Sequence, residues 1–314
     1  MARPRALPCP SIIRPKLLTA ASIPPKGDDW LTEIKLDGFR LMVRIDQGVT
    51  LFTKNGYDWT KRMPTLAKEL QTLPVRTAWL DGEVVVQNAE GIPVFHRLQS
   101  AFNSGNTADL RIWIFDLLFI NGVDLRGLPL KERRSQLCDL MSEVDLEHVR
   151  VSEILDADPR DLLHNICVMG MEGIVCKKAG SPYISDRNGD WIKVKCHNSR
   201  EFIIIGYTRG FAGSGSLLLA LHDEDGALLY AGRVRSGFDN RTLSTLLARL
   251  SLLVVPACPL PYPPKSSKTT IVWVKPQVVC EVKYAEITPN GKVRHPVFKG
   301  LRDDIPAADI GLES

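Results

Sequence analysis

Apolar and polar positions alternate with the period of a β-strand near residue 40. Leu41, Val43 and Ile45 fall on one face of such a strand, and a glycine-containing turn, residues 46–48, leads into residues 49–53. Side chains two positions apart share a face of a strand, so this pattern predicts a β-hairpin with a short loop.

Two continuous apolar runs, residues 79–86 and 112–120, are rich in aromatic and β-branched side chains and predict buried strands. Helical spacing of apolar side chains appears in residues 130–141. Residues 158–170 begin with an Asp-Pro pair suited to a helix start and end with glycine. Strands and helices are mixed in this region, which predicts an α+β fold.

The pattern changes near His197, where short strands begin to dominate. The predicted strands are residues 202–207, 217–222, 228–234, 271–274 and 278–287, with one helical stretch at residues 242–253. About five strands and a helix are typical of a small OB-type barrel. We therefore predict two domains, residues 1–197 and residues 198–314.

Composition describes a globular chain with a mild positive charge. Hydrophobic residues make up 44% and charged residues 24%, and the net charge is +4, which alone does not indicate a nucleic-acid partner. No apolar run approaches the roughly 18 residues of a membrane span, and no secretory signal is recognised. The seven cysteines contain no C-x-x-C pair. We expect a cytoplasmic protein with reduced thiols, without a membrane association, a zinc site or a disulfide framework.

The segment from Glu33 to Arg40 has the composition of a reactive lysine site. Lys35 lies between apolar neighbours and is followed by Asp37 and a glycine. A lysine is a nucleophile only when it is neutral, and burial or nearby positive charge lowers its pKa towards that state. The pattern is short and common, however, and by itself it favours a strand-end lysine paired with Glu33 or Asp37.

Further short motifs follow in a fixed order along the chain. They are Thr53-Lys54-Asn55-Gly56, Leu80-Asp81-Gly82-Glu83, Phe115-Asp116, Glu172-Gly173-Ile174-Val175-Cys176-Lys177, Trp191-Ile192-Lys193-Val194-Lys195 and Arg302-Asp303-Asp304. With residues 35–40, this series resembles the ATP-dependent DNA ligases of the covalent nucleotidyltransferase superfamily. Stretches outside the motifs, residues 79–86, 201–208, 215–219, 230–234 and 294–298, resemble the ligase domain of bacterial ligase D, an end-joining enzyme. The likeness covers roughly residues 12–310.

The resemblance implies a fold and an activity. The expected fold is an adenylation (nucleotidyltransferase) domain with antiparallel sheets and flanking helices, followed by an OB-fold domain. The expected reaction seals 5′-phosphate/3′-hydroxyl breaks in duplex DNA with ATP, through a lysyl-AMP intermediate and a DNA-adenylate, in double-strand break repair by end joining. At 314 residues we expect the polymerase and phosphoesterase modules of many such enzymes to be missing.

The resemblance also implies roles for individual residues. Lys35 would be the nucleophile and Asp37 would orient it. Glu33 would accept a hydrogen bond from the adenine amino group, and Phe115 would stack on the ring, although it could equally be a core residue. The other implied contacts are Arg40 and Glu83 with ribose, Lys177, Lys193, Lys195 and Arg302 with phosphates, and Glu172 and Glu83 with Mg²⁺, for which Mn²⁺ is an alternative.

Two positions depart from the family pattern. Lys54 stands where arginine is usual, which replaces a bidentate contact with a point charge. Ile305 stands where the last motif usually has lysine, a cation that would orient the pyrophosphate leaving group. We therefore predict slow adenylation by ATP together with normal sealing of pre-adenylated nicks.

Other readings keep the same motifs but change the acceptor or the activity. One is an RNA ligase or a capping-type nucleotidyltransferase, and another is a catalytically degenerate nucleic-acid-binding protein. The expected partners of the ligase are duplex DNA with nicks or ends and, by analogy, Ku and a separate repair polymerase. We expect a monomer that associates with the nucleoid of a bacterial cell, and a hinge between the domains near residues 196–200.

Overall fold

The chain divides into two compact units between Cys196 and His197 in the computed structural model, which describes residues 6–208, 215–264 and 270–311. Each unit has a hydrophobic core of its own. The mixture of sheets and helices confirms the predicted α+β class.

The N-terminal unit mixes strands with helices that pack against them. Its elements are β1 (Thr19–Ala21), β2 (Trp30–Ile34), β3 (Phe39–Asp46), β4 (Val49–Thr53), α1 (Pro64–Leu70), β5 (Thr77–Val85), α2 (Phe95–Ser104), β6 (Arg111–Ile120), β7 (Val123–Asp124), α3 (Leu130–Ser142), β8 (Val149–Val151), α4 (Pro159–Val168), β9 (Gly173–Lys178) and β10 (Trp191–Lys195). The predicted hairpin is confirmed as β3 and β4, and the two apolar runs form β5 and β6.

These strands form two sheets. One has the order β1-β10-β9-β2, and the other has the order β4-β3-β5-β6-β7, with β8 paired to β6. A cluster that includes Met42, Trp79 and Phe115 from the second sheet and Trp191 from the first lies between them. The two sheets therefore face each other within this unit.

Strand alternation decides which side chains enter the space between the sheets. In β3, Leu41 and Val43 belong to the main core on the outer side of the sheet. The intervening Arg40 and Met42 point to the opposite side, towards the first sheet. The same alternation in β5 turns Glu83 inward.

Two helices of this unit, α3 and α4, were predicted from the sequence. α4 starts at Pro159, and the Asp158 side chain accepts hydrogen bonds from the backbone N–H groups of Arg160 and Asp161. α4 stops before Gly170, which has a positive φ of 75°. The helix predicted over residues 130–141 is confirmed as α3.

The C-terminal unit is built mainly from strands. Its elements are β11 (Asn198–Thr208), β12 (Leu217–His222), β13 (Leu228–Val234), α5 (Asn240–Ser251), β14 (Val254–Val255), β15 (Ile271–Tyr284), β16 (Glu286–Ile287), β17 (Val293–Arg294) and β18 (Val297–Leu301). The main sheet has the order β13-β12-β11-β15-β14, with β18 also paired to β15.

One strand of this unit is longer than predicted. Residues 271–274 and 278–287 were expected to form separate strands, but β15 runs from Ile271 to Tyr284 and continues through Pro276. Its pairing with β11 shifts register between Ile204 and Gly206, where the partners change from Val278 to Trp273. The bulge absorbs the residues around the proline, so a missing N–H there does not end the strand.

One expectation about the N-terminal unit is wrong. Reduced thiols were expected throughout, but Cys167 and Cys196 form a disulfide. The cysteines are 29 residues apart, and the pairing arises because α4 packs on β9, whose neighbour β10 ends beside Cys196.

No helix in the described part of the chain is long and apolar enough to cross a membrane.

Candidate active site

A cleft of about 420 Å³ lies between the two sheets of the N-terminal unit. Its walls combine apolar, aromatic and charged side chains. The lining residues are Leu18, Glu33, Ile34, Lys35, Leu36, Arg40, Glu83, Phe115, Ser152, Val175, Lys177 and Trp191. Most of the residues that the motifs predicted for nucleotide binding therefore share one cleft.

Lys35 and Glu172 form the charged pair at one side of this cleft. The Lys35 Nζ lies 2.7 Å from Glu172 Oε2, and Lys195 Nζ lies 3.1 Å from the other oxygen, Oε1. The Lys35 backbone N–H donates to the Gly173 carbonyl at 2.9 Å. This bond extends the β2–β9 ladder by one residue and keeps the lysine beside Glu172.

The glycines of both motifs are required by close backbone contacts. A Cβ on Gly38 would lie 2.1 Å from the Val84 carbonyl oxygen. A Cβ on Gly173 would lie 2.1 Å from the Val194 carbonyl oxygen, and Gly173 also has a φ of +148°. Only glycine fits these positions, which allow the segments with Lys35 and Glu172 to approach neighbouring strands.

The electrostatic surroundings keep the Lys35 ammonium charged. Burial lowers the pKa of Lys35, but Glu172, Glu83 and Asp37 raise it, and the balance lies above the ordinary lysine value. Burial alone would favour the neutral amine, but the acidic groups outweigh the effect of burial.

Glu33 is held inside a buried cluster of hydrogen-bond donors. Glu33 is only 2% exposed. Lys177 Nζ donates to both carboxylate oxygens, at 2.8 and 2.9 Å. Arg134 Nη1 donates to Oε1 at 3.0 Å, and Ser152 Oγ donates to Oε2 at 2.8 Å. The lysine partner is itself buried, so this contact is not a surface salt bridge.

Phe115 presents an aromatic wall next to this cluster. Lys177 Nζ lies 4.0 Å from the centre of the Phe115 ring and 4.4 Å from that of Trp191. Burial lowers the pKa of Lys177, Arg134 lowers it further, and Glu33 opposes both effects. Lys177 thus lies on the Glu33 side of the cleft, while its predicted phosphate contact stays a prediction.

Arg40, on β3, is held by Asp81 of the neighbouring strand β5. Its Nε and Nη2 donate to the two oxygens of Asp81 at 2.5 and 2.7 Å, and its guanidinium carbon lies 4.7 Å from the Phe115 ring centre. Asp81 also accepts a 2.6 Å hydrogen bond from the Tyr183 hydroxyl. Glu83 pairs with Arg40 across the β3–β5 ladder, so both predicted ribose ligands lie on one stretch of the sheet.

The lysines of β10 share a face, as their spacing predicts. Ile192 and Val194 pack into a small core on one side of the sheet. Trp191 lines the cleft on the other side, which is also the side of Lys193 and Lys195.

Arg302 belongs to the C-terminal unit and is engaged by acidic side chains there. Its Nε and Nη2 donate to the two oxygens of Asp304, both at 2.8 Å, and its Nη1 lies 3.2 Å from Glu201 and 3.4 Å from Glu281. These contacts hold the pKa of Arg302 well above its ordinary value despite burial.

Several buried groups around the cleft were not identified from the sequence. Arg133 forms a fully buried bidentate pair with Asp116, with both contacts at 2.8 Å, and Arg134 supports Glu33. A signal was present: Arg133 and Arg134 occupy the same buried face of α3 as Leu130 and Leu137. Arginines three and four residues after a buried leucine can mark a charged network rather than a solvated face.

The residues suited to a divalent cation are few. In the described ranges, no cluster of three or more His, Cys, Asp or Glu side chains is arranged to hold a metal. Glu172 and Glu83 provide carboxylate oxygens, the ligand type that Mg²⁺ prefers, and both also raise the pKa of Lys35. This donor set fits a cation whose remaining ligands are water and phosphate oxygens.

Comparison with known families decides the class of protein. The family model described as ATP dependent DNA ligase domain matches residues 17–195, and the model described as ATP dependent DNA ligase C terminal region matches residues 210–305. The chain belongs to the ATP-dependent DNA ligase family. The predicted family is thereby confirmed, and the RNA-ligase or capping alternative is not favoured.

Individual relatives agree with this family. The chain is 45% identical over 310 residues to the multifunctional non-homologous end joining protein LigD of Pseudomonas aeruginosa, covering 96% of this chain and 37% of that protein. It is 34% identical over 296 residues to the multifunctional non-homologous end joining DNA repair protein LigD of Mycobacterium tuberculosis, covering 92% of this chain and 38% of that protein. The chain thus spans less than two fifths of the length of these relatives.

A solved structure confirms the architecture of this ligase. A mycobacterial DNA ligase D complexed with ATP and MES matches with a TM-score of 0.70 and 33% identity, over 95% of this chain and 97% of that one. The predicted nucleotidyltransferase domain with a C-terminal OB-type domain is therefore confirmed as the fold class.

Proposed function

We propose that this ligase acts through a covalent AMP adduct on Lys35 and joins 5′-phosphate and 3′-hydroxyl ends in duplex DNA during double-strand break repair by end joining. The observation that carries the proposal is the position of Lys35 Nζ, 2.7 Å from Glu172 in a cleft that also contains Glu33 and Phe115. The end-joining role is supported by the relatives whose names include it.

The reaction requires the Lys35 amine to be neutral. In the first step the Lys35 nitrogen attacks the α-phosphorus of ATP, the bond from that phosphorus to the bridging oxygen breaks, and pyrophosphate leaves. The ammonium must lose a proton before it attacks, and the attacking nitrogen loses another as the phosphoramide forms. AMP then passes to the DNA 5′-phosphate, and the 3′-hydroxyl displaces it.

The remaining roles follow from the walls of the cleft. Phe115 offers an aromatic face for the adenine ring, and Glu33 offers a carboxylate for its amino group. Arg40 and Glu83 are placed as donor and acceptor for ribose hydroxyls, and Asp37 lies next to the nucleophile as an orienting group. We assign the lysines of β10 to phosphate contacts, because cations dominate the stabilisation of phosphoryl transfer.

A divalent cation completes this assignment. Mg²⁺ held by Glu172 and Glu83, with Mn²⁺ as the alternative, would neutralise charge on the phosphate oxygens. Lys35 already lies against Glu172, so this chain's own residues bring the nucleophile to the proposed metal ligand.

The partners are proposed from the same family resemblance. DNA ends and nicks are the substrates. Ku and a separate repair polymerase are the protein partners, and the protein acts as a monomer at the nucleoid of a bacterial cytoplasm.

Incubation with α-labelled ATP and Mg²⁺, followed by a denaturing gel, tests the proposal. The protein is first treated with pyrophosphate to remove AMP acquired during expression. We expect a labelled band from the wild type, its loss in Lys35→Ala, and its retention in Lys178→Ala, an exposed lysine at the end of β9. A stripped, folded wild type that takes no label would instead favour the non-catalytic nucleic-acid-binding protein.

The acceptor requires its own assay. A nicked duplex with DNA on both sides of the nick is compared with one that carries an RNA 3′-end. We expect efficient sealing of the DNA nick, and a strong preference for the RNA end would contradict the assignment to DNA end joining.

A further inference from the structure

Arg134 is a buried arginine on the side of α3 that packs towards the cleft. The residue is 5% exposed. It also lines a separate surface groove of about 960 Å³ together with Cys138, Glu153 and Ile154. Arg134 therefore lies between this groove and the wall of the nucleotide cleft.

The Arg134 guanidinium joins segments that are distant in sequence. Nη1 donates to Glu33 Oε1 at 3.0 Å and to the Phe115 carbonyl at 3.1 Å, and Nη2 donates to the Ser152 carbonyl. One planar group thus ties the end of β2, the middle of β6 and the segment after β8. A lysine ammonium on a flexible stem cannot reproduce this arrangement, because it has no rigid fork of donors.

Lys177 does not by itself set the rotation of the Glu33 carboxylate. Lys177 contacts both carboxylate oxygens at nearly equal distances, 2.8 and 2.9 Å, so it does not distinguish between them. Arg134 holds Oε1 and Ser152 holds Oε2. The orientation of the carboxylate plane therefore depends on Arg134 and Ser152.

We propose that Arg134 is a positioning residue that orients Glu33 towards the 6-amino group of the base, and thereby sets the preference of this ligase for adenine nucleotides. The inference rests on the proposed function, in which Glu33 accepts a hydrogen bond from that amino group. Arg134 acts through Glu33 and through the Phe115 backbone, both of which form the cleft. A guanidinium with two backbone carbonyl partners cannot rotate freely, and this rigidity passes to the carboxylate.

The test measures base selectivity rather than activity alone. The rate of covalent adduct formation is measured with ATP and with the triphosphate of unsubstituted purine riboside, which lacks the 6-amino group. The ratio of the two kcat/KM values is compared among the wild type, Arg134→Lys and Ser152→Ala. This ratio does not change when a variant merely lowers the fraction of folded protein.

A hydrogen bond to a charged group is worth enough to give the wild type a preference for ATP on the order of tenfold to a hundredfold. We expect Arg134→Lys to lower this ratio by about tenfold or more, chiefly through a higher KM for ATP, and Ser152→Ala to lower it to a smaller extent. Arg126→Lys is the matched control, because Arg126 pairs with Asp124 and neither residue lines the cleft, so its ratio should equal that of the wild type.

Unchanged ratios in folded Arg134→Lys and Ser152→Ala would overturn the inference, and so would a wild type that does not distinguish the two nucleotides. Ser152→Ala removes a single hydroxyl and keeps the inference testable if Arg134→Lys does not fold. A wild type that forms no adduct with ATP contradicts the proposed function itself, so the two failures are distinguishable.

Discussion

Breaking the disulfide between Cys167 and Cys196 should lower the stability of the N-terminal unit by a predictable amount. The disulfide closes a loop with a sequence separation of 29 residues. The chain-entropy relation for a loop of that length gives about 3.6 kcal/mol of stabilisation at 25 °C, arising from restriction of the unfolded chain. For a unit of this size the loss corresponds to a fall in Tm of roughly 7–14 °C.

Thermal denaturation followed by circular dichroism measures this effect. Wild type is compared with Cys167→Ser and Cys196→Ser, each with and without a reducing agent. We expect both variants to melt at the lower temperature in either condition, and the wild type to join them when it is reduced. Cys138→Ser is the control, because Cys138 is an exposed free cysteine, and it should behave as the wild type does.

Thiol counting and adenylation provide independent checks. A denatured, unreduced wild type should show five reactive thiols, the free cysteines at positions 9, 138, 176, 258 and 280. Because the stabilisation acts on the unfolded chain, adduct formation well below the Tm should change little on reduction. Seven reactive thiols, or identical melting of wild type and Cys167→Ser without reductant, would refute the reasoning.

Further predictions concern the charged groups and the last motif. Asp116→Asn leaves Arg133 buried without its carboxylate partner, and should lower the free energy of unfolding by about 3–5 kcal/mol in a denaturant titration; a loss below about 1 kcal/mol would contradict this. Despite burial, Glu172 and neighbouring acids hold the pKa of Lys35 above its ordinary value. The neutral fraction of Lys35, and with it the rate of adduct formation, should therefore increase with pH from neutral into the alkaline range. A flat pH profile would argue against Lys35 as the nucleophile. Ile305→Lys should accelerate adenylation by ATP by about tenfold and leave the sealing of pre-adenylated nicks unchanged; equal effects on both steps would refute the explanation based on the missing cation.

Local periodicity explains why part of the site could be predicted. A period of two residues is a property of the strand itself, so it assigned Lys193 and Lys195 to one face of β10 and the intervening apolar pair to the other. The same rule put Leu41, Val43 and Ile45 on one face of β3. Glycine requirements are also local, although their cause, such as the Val194 carbonyl beside Gly173, became visible only in the fold.

The state of the charged groups could not be predicted in the same way. Burial by itself would lower the pKa of Lys35, but the partner that reverses the shift is Glu172, which is 137 residues away. Arg134 is charged, so the sequence pattern alone assigns it to the surface. It is buried because Glu33, 101 residues earlier, accepts a hydrogen bond from it in the folded protein. Such contacts depend on how the sheets and α3 pack.

The amino-acid sequence by itself determined the family, the order of the motifs, the hairpin of β3 and β4 and the α+β class, because each of these depends on residues that are close together along the chain. Only the tertiary structure decided which charges are paired, which cysteines are joined and which arginine supports the wall of the cleft. Electrostatic and covalent partners are selected by distance in space, and that distance is set when the two sheets enclose the cleft.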